Sequence, residues 1–167
     1  MGDGKVRAAD LASSVGTIGP AGKLPLKGVV DVTDCSSGRL EVIASPCGDF
    51  WATWTHTGTR RANVAGGPFD RMSGRATGML WVTGGTAHGQ GAHEYVDADG
   101  DKVFIESQRL GARTTWKFAG GSGKYEGITG NGEYSDLNYF PRLSTDTYQF
   151  CPVSTGTYEI VRQGDSR

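Results

Sequence analysis

No stretch of this sequence reaches the roughly 18 to 20 apolar residues that a membrane-spanning helix requires, and the opening MGDGKVRAAD lacks the apolar centre of a secretory leader. As written, the chain reads as cytoplasmic by default, and as periplasmic or secreted if a leader has been removed. An excess of either charge is also missing. With 17 basic and 18 acidic residues the formal net charge is −1, so neither a nucleic acid nor an anionic membrane is expected as partner. Cys35, Cys47 and Cys151 form no CxxC pair, which argues against a zinc centre. Cys35 and Cys47 bracket a loop-like segment and would bridge in an oxidising compartment; the alternative is three buried or half-buried thiols.

Helical periodicity is scarce as well, and only residues 6–15 offer a short polar candidate. Glycine is abundant instead, 27 of 167 residues, interleaved with Thr, Val, Trp and Tyr. Strand-like segments follow at 26–33, 40–44, 50–57, 74–83, 89–96, 102–110, 114–119, 127–139 and 147–161, the last with a break near Pro152, each bounded by Gly, Pro, Asp or Asn. Such a series without helices must bury one face of each strand and hide its edges. It therefore predicts an all-β fold, a small closed antiparallel up-and-down barrel of about eight strands. Residues 1–24 read as an N-terminal arm, 25–163 as the barrel domain and 164–167 as a tail. Glycines inside the strands, such as Gly74, Gly78, Gly89 and Gly91, favour a barrel, where tight coiling leaves no room for side chains. Segments 79–82 and 103–105 look apolar on both faces, which predicts cover by the arm or by a second copy, in a homodimer or homotrimer.

Asp97-Ala98-Asp99-Gly100-Asp101 imitates a calcium loop, but glycine stands fourth rather than sixth and position twelve is Gln108. The segment reads as a hairpin with a two-residue type I′ turn at Asp99-Gly100. That turn pairs Val96 with Val103, Tyr95 with Phe104 and His93 with Glu106, and puts His93, Tyr95, Phe104 and Glu106 on one face. An imidazole opposite a carboxylate, flanked by aromatic rings, is an acid/base pair that burial and charge can tune toward neutrality. His93, Glu106 and Tyr95 are the candidate catalytic residues, with an outer-wall location as the alternative; a slip of one residue dissolves the pair. His88 and His93 are five apart and face opposite sides of one strand, so they cannot share a metal, and no metal or other cofactor is expected. Trp54, His56, Trp81, Phe104, Trp116, Tyr134 and Asp136 are the candidate substrate-binding residues, because aromatic walls with a few polar groups suit a small hydrophobic or aromatic ligand.

The run AGGSGKYEGITGNGEY, residues 119–134, fails as a phosphate loop, since Phe118 takes the first glycine position and Tyr125 follows Lys124. It resembles the Gly-Gly-(Ser/Thr)-Gly-(aromatic)-x-Gly segment of allene oxide cyclase-like and dirigent-like barrels. That resemblance implies a cavity running into the barrel, used by such cyclases to fold a reactive lipid epoxide and by dirigent proteins to steer radical coupling. No catalytic motif of either group is present, and none of their residue roles is carried over. The expected function is a cofactor-independent enzyme that binds a small hydrophobic or aromatic molecule in the barrel and catalyses isomerisation, cyclisation or a related acid/base step. The alternative is a non-catalytic small-molecule binding or dirigent-like steering protein.

Overall fold

A computed structural model of the chain describes residues 24–162; the readings of residues 1–23 and 163–167 lie outside the described residues. Eight strands run β1 (Lys27–Ala44), β2 (Phe50–Ala62), β3 (Met72–Thr83), β4 (Thr86–Val96), β5 (Lys102–Leu110), β6 (Arg113–Gly121), β7 (Ile128–Tyr139) and β8 (Thr147–Ile160). Each pairs antiparallel with its neighbours in sequence, and β1 closes on β8. The expected all-β closed barrel is what forms. Among the described residues the helical content is one 3-10 turn, Gly123–Tyr125, and no helix is long and apolar enough to cross a membrane.

Two segments that read as separate strands, 26–33 and 40–44, are one strand of 18 residues. The polar stretch between them does not turn, because Asp34, Ser36 and Gly38 stand opposite Arg60, Gly58 and His56 on β2, and alternation carries them to the inside. Strand β8 likewise runs through Pro152 without a break. The register of β7 against β8 shifts between Ser135 and Asn138, beside that proline, and a bulge is where a strand tolerates a residue with no N–H to donate.

One end of the barrel is filled. Phe69, in the connection from β2 to β3, adopts φ 63°, a conformation that an aromatic residue holds only where packing over-determines it. Its ring inserts between Phe118, Tyr125 and Tyr158 at centroid distances of 5.6, 5.6 and 5.2 Å. With Met72, Val103, Ile105, Ile128 and Ile160 it closes the floor. The opposite end, ringed by the β3–β4 and β5–β6 turns and the 140–146 connection, leads into a cavity.

The β4–β5 turn differs from the expected two-residue loop. Asp97 stays paired, its N–H donating to the Asp101 carbonyl at 3.0 Å, so the loop holds three residues, 98–100, with Gly100 at φ 85°. The Asp97 Oδ1 accepts the N–H groups of Asp99 and Asp101 at 2.9 and 3.1 Å, and its Oδ2 accepts the Tyr125 hydroxyl at 3.0 Å. Lys124 places Nζ 2.7 Å from Asp97 and 2.5 Å from Asp99. The glycine-rich run thus clamps the turn over 97–101. Gly123 is required there, since it has φ 60° and a Cβ would run into the Asp101 carboxylate. Val96 pairs with Lys102, Tyr95 with Val103, His93 with Ile105 and Ala92 with Glu106, one residue away from the sequence reading.

Neither reading of the cysteines, a Cys35–Cys47 bridge or three thiols, is what the structure holds. Cys35 points outward in the middle of β1 and bonds to Cys151 on β8, 116 residues away, while Cys47 is free and exposed. The segment that Cys35 and Cys47 bracket is mostly strand, which holds them apart.

Candidate functional site in the barrel interior

Strand β2 contributes Trp54, His56 and Arg60 to the inside, and β4 contributes His93 and Tyr95. Alternation along each strand selects these positions, with glycine at Gly58, Gly89 and Gly91 where bulk is excluded. Trp54 lies across β3 and β4 because Gly78 and Gly91 leave it room; a Cβ at Gly91 would come within 2.7 Å of its indole. The indole stacks on His56 at 5.1 Å, with 9° between planes. Above and around these rings lies a cavity of about 260 Å³, whose upper wall includes Leu40, Leu80, Leu137, Tyr139 and Phe150.

A polar layer crosses its floor. Asp34 lines the cavity and accepts two hydrogen bonds from Arg60, from Nε at 2.7 Å and Nη2 at 3.0 Å. Arg60 is fully buried, with its guanidinium 3.8 Å from the centroid of the Tyr95 ring. His93 Nε2 bonds to Ser107 Oγ at 2.9 Å, and His56 Nδ1 to the Tyr148 hydroxyl at 3.0 Å. Polar atoms buried in this region without a hydrogen-bond partner include Arg60 Nη1, His93 Nδ1, the Tyr134 hydroxyl and Ser154 Oγ.

Burial dominates the electrostatics. It lowers the pKa of His56 to about 4, against a smaller opposing pull from Asp34. It lowers that of His93 to about 3, helped by His56 and the Arg60 charge. Both imidazoles are therefore neutral at neutral pH. Burial opposes the charge of Arg60 too, but Asp34 outweighs it and the guanidinium stays protonated. Tyr134 is pushed up, first by burial and then by Asp34, with Arg60 pulling the other way, so it remains a phenol. The layer offers an internally paired Asp34–Arg60 couple, two neutral imidazoles and a phenolic donor beside an aromatic wall.

The structure brings together His93, Tyr95, Trp54, His56 and Tyr134 of the residues singled out from sequence. It does not bring Glu106 to His93. In the shifted register Glu106 points outward and pairs with Lys117 at 2.9 Å, and Phe104 is also on the outside, 40% exposed. Trp81 is on the outer wall, stacked on His88 at 5.5 Å and opposite Trp51. Trp116 is buried in the core against Phe118 and does not line the cavity. The side chain of Asp136 lies outside the described residues.

Asp34, Arg60, Ser107 and Tyr148 were missed. Alternation from Trp54 and His56 through Gly58 reaches Arg60, but the strand signal in the sequence stops at 57, and Asp34 sits in the polar stretch between 26–33 and 40–44. Among the described residues one group of three possible metal ligands occurs, Asp97, Asp99 and Asp101. The Lys124 ammonium already sits among these carboxylates, so the group is a turn clamp.

No protein-family model matches the chain, and no curated protein matches it. Among solved structures the chain is similar to the pterocarpan synthase dirigent protein GePTS1, with a TM-score of 0.49 and 10% sequence identity, covering 83% of this chain and 93% of that one. No residue role passes from that protein to this one.

Proposed function

We propose that the barrel binds a small hydrophobic or aromatic molecule bearing an oxygen function and promotes its isomerisation, cyclisation or a related acid/base step without a cofactor. The observation that carries this reading is an aromatic cavity whose floor holds His56, His93 and Tyr134 beside the Asp34–Arg60 pair. A ligand oxygen that reaches this floor meets a phenolic donor and two neutral imidazoles. An oxygen that gains negative charge as a ring closes, or as a neighbouring C–H is given up, is stabilised there more than in the starting molecule. Tyr134 donates to that oxygen, and His93 or His56 accepts the proton. Trp54 and Tyr95 hold the ring.

A second reading, a binding or steering protein that makes no bonds itself, is favoured by one observation. With pKa values of about 4 and 3, His56 and His93 are weak bases. For either reading the Cys35–Cys151 bridge supports an oxidising compartment, periplasmic or extracellular. A homodimer or homotrimer would cover the outward row formed by Ile43, Trp51, Trp81, His88 and Leu110, which stand opposite one another on successive strands.

The test is to identify a co-purifying small molecule by native mass spectrometry and to follow its conversion. His93→Ala and Tyr134→Phe are expected to slow turnover by about 10²-fold or more, with Glu106→Gln unchanged. Full turnover in both interior variants would refute the assignment of the chemistry to this layer. Tight binding without conversion by the parent protein would support the second reading.

A further inference from the structure

We infer that the molecule taken by this cavity carries a negative charge at its outward end, as a carboxylate or similar acid group on a compact aromatic body, and that Arg109 and Arg142 receive it at the mouth. This rests on the reading of the interior as a binding cavity and goes beyond it by fixing the charge and direction of the guest. Charge along the lining is sorted by depth. Asp34 is the acid among the described lining residues, and it lies at the floor, where Arg60 already neutralises it.

At the other end β5 presents Arg109, opposite Gly89 on β4 and Thr114 on β6, and the 140–146 connection brings Arg142 to the same opening. Arg109 donates from Nε to its own turn, at the Gly111 carbonyl, 3.0 Å away. That bond positions the side chain and leaves its terminal nitrogens to face a guest. Arg142 makes one long contact, 3.4 Å, to the Thr145 carbonyl. Neither guanidinium forms a salt bridge among the described residues.

Between mouth and floor the wall is apolar and aromatic, with Tyr139 stacked on Phe150 at 5.7 Å. A cationic guest would meet two guanidinium groups on entry. A guest charged at its inner end would find the Arg60 charge already matched by Asp34. A guest with an apolar body and an outward acid matches every level, because a guanidinium offers a carboxylate paired N–H donors. The volume, about 260 Å³, lies just under the range of about 300 Å³ and upward typical of ligand pockets, which suits a substituted ring rather than an extended chain.

The experiment is calorimetric titration of the disulfide-intact protein with 3-phenylpropanoate and with its neutral amide, at neutral pH and at low and about 0.5 M salt. The acid is expected to bind about tenfold or more tightly than the amide, with an advantage that shrinks in salt. Arg109→Gln and Arg142→Gln should each weaken the acid by about three- to tenfold and leave the amide unchanged, which also shows that each variant is folded. Equal affinity for acid and amide would overturn the charge assignment while leaving the cavity reading standing. An acid preference that survives both substitutions would overturn the assignment to these arginines. If neither probe binds, the inference and the cavity reading fall together.

Discussion

Arg60 holds Asp34 through two hydrogen bonds of 2.7 and 3.0 Å with both side chains almost wholly out of water. Breaking such a pair leaves an uncompensated buried charge, at about 3–5 kcal/mol, whereas removing both charges is far milder. Asp34→Asn and Arg60→Met should each destabilise by that order in urea unfolding, and the double variant by clearly less than the sum. Additive losses would show that the two charges are not coupled.

The two interior histidines make stability fall with acid. Their folded pKa values, about 4 for His56 and about 3 for His93, lie below the ordinary 6.5. Above pH 6.5 neither state binds these protons and the slope is zero. Below it the unfolded chain takes up protons that the folded one refuses, so each histidine removes up to about 1.4 kcal/mol per pH unit until its folded pKa is reached. Urea midpoints measured between pH 6.5 and 5, above the main carboxylate range, are expected to drop steadily, and His93→Gln should reduce the slope by about half. Constant stability across that window would contradict neutral burial.

Closing a loop of 116 residues by a covalent bridge is worth on the order of 4–5 kcal/mol in the chain-entropy account. Cys35→Ser with Cys151→Ser should lower the thermal midpoint markedly, and a reductant should do the same to the parent protein. Cys47→Ser, in an exposed turn, should change it little.

Gly123→Ala should destabilise by about 1–3 kcal/mol, since the residue has φ 60° and a methyl group there meets the Asp101 carboxylate. Glu106→Gln, on the exposed outer wall, should stay within about 0.5 kcal/mol. Thermal unfolding of both variants separates the turn clamp from the surface pair.

Much of the fold was legible because it is written in short-range signals. Alternating strands, punctuating turns and in-strand glycines lead to a closed barrel, and the aromatic wall residue Trp54 with His56 follows from the same alternation. The site was legible only in halves. His93, Tyr95 and Tyr134 could be found as inward candidates, but His93 meets Ile105 rather than Glu106, because the β4–β5 loop holds three residues instead of two. Asp-Gly alone does not say which of the two loop lengths forms. The Asp34–Arg60 pair was hidden for a similar reason: Asp34 looks like loop until closure sets it against Arg60. Cys151 could not be matched to Cys35 without knowing that the last strand returns to the first.

That return has a consequence for the order in which the molecule assembles. In an up-and-down barrel most pairings join neighbours in the chain, and the contact between β1 and β8 is the most distant and the last to be rewarded during a search from the open chain. With Cys35 joined to Cys151, the unfolded polypeptide is already a ring in which this meeting has been made, and the local hairpins have only to form within it. Refolding from denaturant should be faster with the bridge intact than after reduction, and stopped-flow fluorescence of the tryptophans can compare the two directly.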